Sequence, residues 1–392
     1  MNLLPVLIAV LALAFFSGSD SLFYLAYVLA GLVILSRLWV PRALRDVHSV
    51  RRFCPRAFHG EEVAVELEVA NRGRWPILWL ALHESLPVSL HVPNFERRVV
   101  SLAAGERVSI RYALQCARRG YYRLGPLQLR SGDFFQLAPE GESTGAEDVL
   151  VVYPKIMALP SLHLPSRIPL GSLPTRTQFF EDPSRFFGVR DYQAGDSLRR
   201  VNWRSSAHLS RLQVKRFQPA VALRTIIFLD LNADAYAVSS RAYAEELGCT
   251  IAASIAARLM ELRQQVGLTL LACDEVSGST AVQQLPLGRG REHLMRLLEM
   301  LARARMAPTA PLTTTLLRGG TDLGWGSTAL VIGAGDSPGL LESLLQMRRR
   351  GFEVVLIAMD PTKRFDELQA RLGTMGAAAF WIPSERHLDL WR

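Results

Sequence analysis

Residues 1–36 hold no Lys or Arg, and the next twenty hold Arg37, Arg42, Arg45, Arg51, Arg52 and Arg56 against a single acid, Asp46. Two apolar runs fill the region before this cluster, Leu3–Phe16 and Leu22–Val40, separated by the polar turn Ser17–Ser21. A bilayer core of ~30 Å takes about 20 helical residues. The second run meets that length, whereas the first spans only by recruiting Met1, Asn2 and part of the turn. The first run could instead be a cleaved signal peptide, but it lacks a positive n-region and a small-x-small site before the turn. An N-terminal transmembrane helical hairpin over residues 1–40 is therefore expected, followed by a basic juxtamembrane segment, 41–57. By the positive-inside rule the arginine cluster stays in the cytoplasm, and with it both termini and everything after residue 40. Trp39 and Tyr24 fall where interfacial aromatics belong.

The chain has 392 residues, enough for two or three domains with their own cores, and is 49% hydrophobic. That composition suits a globular protein with a small anchor rather than a polytopic transporter. The net charge of +9 is concentrated at the membrane boundary and in one later segment. A basic face interleaved with exposed aromatics is missing, so nucleic acid is not an expected partner. Cys54, Cys116, Cys249 and Cys273 are widely spaced and form no CxxC pair. Metal-ligand spacing and a dense disulfide framework are both absent. Cys54 and Cys116 could pair only in an oxidising compartment, and buried free thiols are the favoured reading.

From residue 58 to 153 the hydrophobic period becomes two. Glu62–Ala70 alternates apolar and polar strictly, the pattern of a half-buried strand. Ile77–Leu82, Arg97–Leu102, Arg107–Leu114, Tyr121–Leu129 and Asp148–Tyr153 read as further strands. Turn residues such as Asn71-Arg72-Gly73 and Ala104-Gly105-Glu106 separate them. Short strands with no helical stretch between imply an all-β sandwich domain. Six prolines punctuate residues 154–184, which read as an extended linker.

After residue 220 strands alternate with helices. Leu223–Leu231 is a continuous apolar run, as a strand buried on both faces requires. An amphipathic helix over Ser240–Gln265 and a strand over Gly267–Cys273 follow. Ala281–Pro286 comes after a Ser-Gly-Ser turn and reads as an antiparallel edge strand. The helices Glu292–Arg305, Gly339–Arg350 and Thr362–Gly373 and the strands Ala329–Gly333, Glu353–Met359 and Ala378–Ile382 complete an open α/β, Rossmann-like sheet over 185–392.

Ligands of such sheets bind beyond the carboxyl ends of the strands. There Asp230, Asn232 and Asp234 stand at i, i+2 and i+4 after the first strand, and Asp336 follows a later one. Between them Thr313, Thr314 and Thr315 are expected in a loop, with Thr314 the central candidate. Carboxylate, amide and hydroxyl oxygens are what a hard cation such as Mg²⁺ takes. The alternative is that Asp230 and Asp234 only cap the next helix. The order of strand, DxSxS, loop threonine and strand-terminal aspartate resembles the metal-ion-dependent adhesion site of von Willebrand factor A domains. Here both serines are replaced, by Asn232 and Asp234. The resemblance implies a von Willebrand factor A-like fold, with Asp230, Asn232, Asp234, Thr314 and Asp336 as the ligands of a degenerate site.

From Arg185 to Arg216 there are eight basic residues and two acids. Within it Arg190, Tyr192, Gly195, Asp196, Arg199, Val201, Trp203, Ser206 and Ala207 match a stretch that resembles the signature of the domain-of-unknown-function family 58. His208 stands where that family usually has Arg. Arg119–Leu127 (RGYYRLGPL) is similar to a second segment of that family, while Asp133-Phe134-Phe135-Gln136-Leu137 matches its next motif less well. Physically, Gly195-Asp196 reads as a turn and helix N-cap, with Ser197–Arg204 a short helix. Arg190 and Arg199 either clamp Asp196 internally or serve an anionic partner. Arg199, Arg200 and Arg204 are candidates for a basic partner-binding flank.

No nucleophile–base pair, HExxH or phosphate loop occurs, and Gly333–Gly339 fails as a dinucleotide fingerprint because its third glycine is late and Pro338 intrudes. The expected function is non-enzymatic: a membrane-anchored cytoplasmic adaptor of the bacterial inner membrane that docks a protein partner. The family resemblance implies a MoxR-type AAA+ ATPase as that partner. The alternative is an uncharacterised metal-dependent hydrolase using the Asp230 edge.

Overall fold

The computed structural model describes residues 4–18, 20–87, 89–91, 97–132, 141–159, 181–193, 197–219, 224–319, 327–335, 337–359 and 365–388. They form two compact units. The first comprises Met1–Met157 with Cys273–Ser279 and Met295–Arg305, and the second the remainder.

The first unit begins with helix Leu4–Ser17 and continues with helix Asp20–Arg45. The second helix is long and apolar enough to cross a membrane, and the first is shorter. The basic segment 41–57 is not a separate connector. The helix runs through Pro41 to Arg45, and Val47–Arg52 and Arg56–Phe58 are strands of the following domain. Val40, Ala43 and Leu44 join that domain's core, which is why the helix continues past the apolar run.

Two four-stranded antiparallel sheets share this core. One pairs Val47–Arg52, Glu62–Asn71, Arg107–Cys116 and Leu90–His91; the other pairs Gly141–Thr144, Leu127–Ser131, Ile77–Glu84 and Arg97–Leu102. Strand Asp148–Tyr153 adds a small mixed sheet, parallel to Arg56–Phe58 and antiparallel to Gly120–Leu124. The strict alternation of Glu62–Asn71 places Val63, Val65, Leu67 and Val69 inward, as a period of two requires. Tyr121–Leu129, expected as one strand, is two, interrupted at Gly125-Pro126, where proline has no N–H for a ladder bond.

Charge also enters this core. Arg51 projects inward, its side chain 3% exposed, and its Nη2 lies 2.5 Å from Oε1 of the fully buried Glu84. Arg51 also pairs with Asp148, and the Tyr112 hydroxyl donates to Glu84 Oε2 at 2.7 Å. Burial opposes the Arg51 charge, yet Glu84 and Asp148 outweigh it and hold its pKa above the usual guanidinium value. Burial, with Glu84 adding to it, pushes the Tyr112 phenol far up. Arg119, of the RGYYRLGPL segment, is 2% exposed. It donates from Nε to Leu301 O (3.1 Å) and from Nη2 to Ala304 O (3.0 Å), at the carboxyl end of helix Arg291–Arg303. All four cysteines are free. Cys116 and Cys249 are buried as expected, whereas Cys54 is exposed and Cys273 half-buried.

The second unit is built on a six-stranded sheet. Its strands in chain order are Arg224–Asp230, Gln265–Leu271, Gln283–Gly288, Thr328–Gly333, Glu353–Ala358 and Ala378–Trp381, and their spatial order is third, second, first, fourth, fifth, sixth. All pairings are parallel except that of the third strand, which is antiparallel at the edge. The first, fourth and fifth strands are buried almost throughout, as strands covered on both faces must be. Helix Arg241–Glu261 packs on the first, second and fourth strands. It is not the amphipathic helix expected: Leu247–Ala256 is buried without a break. Helices Leu312–Gly319, Leu340–Arg349 and Phe365–Thr374 meet Phe228, Val331 and Leu356 in one core cluster.

Strands Glu181–Asp191 and Gln213–Pro219 form a separate antiparallel ribbon. Between them lie a 3₁₀ turn, Leu198–Arg200, and helix Trp203–Leu209. The helix expected over Ser197–Arg204 thus starts later, because Asn202 supplies the cap: its side chain accepts from Ser205 N at 3.3 Å. The expected cap, Gly195-Asp196, lies outside the described residues, as do 160–180 of the proline-rich linker.

Candidate functional site at the sheet switch point

In the order third-second-first-fourth-fifth-sixth, the connections leaving the first and fourth strands turn to opposite sides, which opens a crevice at their carboxyl ends. Asp230 ends the first strand and Gly333 the fourth. A Cβ on Gly333 would meet Asp230 Cβ at 3.3 Å and Leu312 Cδ2 at 3.9 Å. The absence of a side chain there lets the Asp230 carboxyl lie between the strand ends. It is 2% exposed, and burial pushes its pKa up to about 6, with the Asn232 amide opposing that shift.

The loop beyond Asp230 is closed by its own side chains. Asp230 Oδ1 accepts from Asn232 N at 3.0 Å, and Asn232 Oδ1 accepts from Asp234 N at 3.2 Å, two successive Asx turns. Asn232 Oδ1 also accepts from Thr309 N at 3.2 Å, and the Tyr236 hydroxyl donates to Asp230 O at 2.9 Å. The segment before helix Leu312–Gly319 is held alongside: Asn232 bridges Ala307, and Glu245 Oε2 accepts from Met306 N at 2.8 Å. Glu245 and Thr309 were not legible as site residues, since neither belongs to the spaced-oxygen pattern.

Thr314 is not in a loop as expected. It lies in the first turn of helix Leu312–Gly319, exposed, and its hydroxyl donates to Pro311 O at 2.7 Å. Asp234 is exposed and Asp336 lies outside the described residues. Among the described residues no three His, Cys, Asp or Glu side chains group closely enough to hold a metal ion. The two lone-pair directions of Asn232 Oδ1 already serve two backbone amides, and Asp230 is desolvated beside Leu312. Asp230 Oδ1 and Asn232 Oδ1 are thus committed to shaping the loop. Arg199 and Arg204 are exposed, on the 3₁₀ turn and on helix Trp203–Leu209, and Arg200 ends that turn. They stand on the ribbon and not on the six-stranded sheet. Near the ribbon, Asp191 pairs with Gln213 and, at 3.7 Å, with Arg211, while Arg190 donates to Asp191 O at 3.1 Å and Asp196 lies outside the described residues.

Residues 188–323 match the model of the family described as "Protein of unknown function DUF58". The DUF58 match thus covers this stretch of the chain. The match takes in the Arg190–Ala207 stretch, the first three strands of the sheet and the Asp230 loop. The chain is also similar to the "Uncharacterized protein YeaD" of Bacillus subtilis (strain 168), 22% identical over 311 residues, which are 78% of this chain and 74% of that protein. Solved structures with partial similarity include native alpha-2-macroglobulin from Escherichia coli (TM-score 0.25, 14% identity, 29% of this chain and 17% of that one). Another is a CARDB domain from Pyrococcus furiosus in complex with di-metal ions (TM-score 0.22, 15% identity, 27% of this chain and 87% of that one). At such scores neither carries an argument about the DUF58 domain.

Proposed function

We propose that this protein is a membrane-anchored binding protein whose von Willebrand factor A-like domain docks a protein partner at the Asp230–Asp234 edge. The observation that carries this reading is the sheet: strand order third-second-first-fourth-fifth-sixth, an antiparallel third strand at the edge, and Asp230 at the switch point. It is supported by the chemistry of the crevice, where Asp230 Oδ1 and Asn232 Oδ1 hold the loop in a fixed shape. The arginine cluster after the long apolar helix supports anchoring in the bacterial inner membrane with the soluble units in the cytoplasm. The partner proposed is a MoxR-type AAA+ ATPase, approached with the help of the exposed Arg199 and Arg204 as a basic flank.

Mg²⁺ is left out of this docking, because the amide oxygen it would need is already shared by two backbone amides. The test is capture of the ATPase from host membranes by the full chain. Capture should survive a chelator and fall at least fivefold with Asp234→Ala, whose side chain is exposed. Capture abolished by chelation would restore the metal-bridged adhesion reading, and capture indifferent to both would remove the Asp230 edge as the docking surface. Hydrolysis by the purified chain with Mn²⁺ or Mg²⁺ would instead favour the hydrolase reading.

A further inference from the structure

Helix Asp20–Arg45 has 26 residues, about 39 Å at 1.5 Å per residue, against ~30 Å of hydrocarbon. With Asp20 at one boundary, the other falls about 20 residues later, near Trp39 and Val40. At that level a cavity of about 160 Å³ lies between the helix and the sandwich. Leu32, Leu35, Ser36 and Trp39 line it from the helix, and Ile77 and Leu78 from the strand that begins after Pro76. Its walls are overwhelmingly apolar, and Leu78 on its rim is 55% exposed.

The surrounding geometry is fixed and basic. Trp39 Nε1 donates to Pro76 O at 2.9 Å, and the Trp39 and Trp75 rings meet at 5.0 Å, tilted by 57°. Arg72 N donates to Asp46 O at 2.9 Å, which ties the Asn71–Pro76 turn to the end of the helix. Arg72 and Arg74 on that turn are exposed, with Asp46 against Gly73 between them, and the exposed Arg42 on the last turn of the helix donates back to Leu38 O at 3.0 Å. An apolar slot, an aromatic pair and a basic rim thus follow one another along the helix, in the order of acyl chain, interface and anionic headgroup in a leaflet.

We propose that this groove holds one acyl chain of an anionic membrane phospholipid, with the headgroup phosphate against Arg42, Arg72 and Arg74. This rests on the membrane-anchor reading, since Leu32, Leu35 and Ser36 lie within the apolar length of the helix. Their side of the groove opens to the bilayer rather than to water, which selects a lipid over a protein segment.

The test uses the full chain extracted in mild detergent, delipidated, and titrated with phosphatidylglycerol or phosphatidylcholine under native mass spectrometry. Wild type should hold one phosphatidylglycerol, at least fivefold more tightly than phosphatidylcholine. Ser36→Phe, which fills the slot, should weaken this at least tenfold, and Leu78→Lys, at the exposed rim, should do the same without touching the core. Arg72→Ala with Arg74→Ala should erase the headgroup preference. Equal retention by wild type, Ser36→Phe and Leu78→Lys would overturn the proposal. Carbonate extraction is read in parallel: a chain released from membranes overturns the anchor itself, whereas a retained chain that binds no lipid overturns only the groove.

Discussion

Replacing Glu84 by Gln leaves shape and most hydrogen-bonding capacity but removes one charge from the pair with Arg51. Glu84 is fully buried, and Arg51 is 3% exposed with its remaining partner, Asp148, 37% exposed. Breaking a buried pair by deleting one charge costs about 3–5 kcal/mol, because the other is left uncompensated. Tyr112, which donates to Glu84 Oε2 at 2.7 Å, then faces an amide and loses a charge-assisted bond worth about 1.5–3 kcal/mol, part of the same total. At roughly 2–4 °C per kcal/mol for a domain of this size, Glu84→Gln should lower the Tm by about 10 °C. The double variant Arg51→Met with Glu84→Leu removes both charges and should recover most of that loss. The assay is thermal unfolding of the full chain in detergent, followed by tryptophan fluorescence, for Glu84→Gln, the single variants Arg51→Met and Glu84→Leu, and the double. Single variants within about 1 kcal/mol of wild type, or a double variant equal to the sum of the singles, would refute the claim that this pair stabilises the core as a unit.

Asp230 has a folded pKa of about 6, above its unfolded value, so the native state binds more protons between the two. Stability therefore falls as pH rises from 4 to 7, and Asp230→Asn should stabilise the chain by about 3 kcal/mol at pH 7 and by nothing at pH 4, read from urea midpoints. An equal effect at both pH values would contradict the burial argument. Arg119→Met keeps the buried stem but loses the bonds to Leu301 O and Ala304 O, and should cost about 3 kcal/mol, seen as faster proteolysis. Burial pushes the Cys116 thiol up to about 11, with Glu61 adding to it, so maleimide at pH 8 should modify the exposed Cys54 and spare Cys116 until denaturant is added. Mass mapping of the modified peptides checks this.

The strands of Glu62–Asn71 and Arg224–Asp230 were legible because burial on one face or on two writes alternation or a continuous run directly into the sequence. What could not be read was any element whose logic lies in distant partners. Arg51 looks like one more member of a basic cluster, and only Glu84 and Asp148, 33 and 97 positions away, turn it inward. The helix Leu312–Gly319 was hidden by Thr313-Thr314-Thr315, since β-branched residues weaken helix propensity and the element is short. At the site, the spacing of Asp230, Asn232 and Asp234 drew attention to the loop after the first strand, where Asp230 is buried and Asp234 exposed. Spacing could not tell oxygens aimed at a ligand from oxygens closing Asx turns, because that depends on the Thr309 amide from another loop.

The helix that carries the apolar span ends inside the sandwich, with Val40, Ala43 and Leu44 in its core and Trp39 held to Pro76. The sandwich is therefore bolted to this helix, with no swivel between them. A domain on a loose tether would ignore the state of the bilayer, whereas this one must lean when its helix leans. A helix longer than the local hydrocarbon tilts to bury itself. In the membrane-anchored reading proposed above, bilayer thickness would set the pitch of the sandwich, and a load on the sandwich would return to the membrane as torque on that helix.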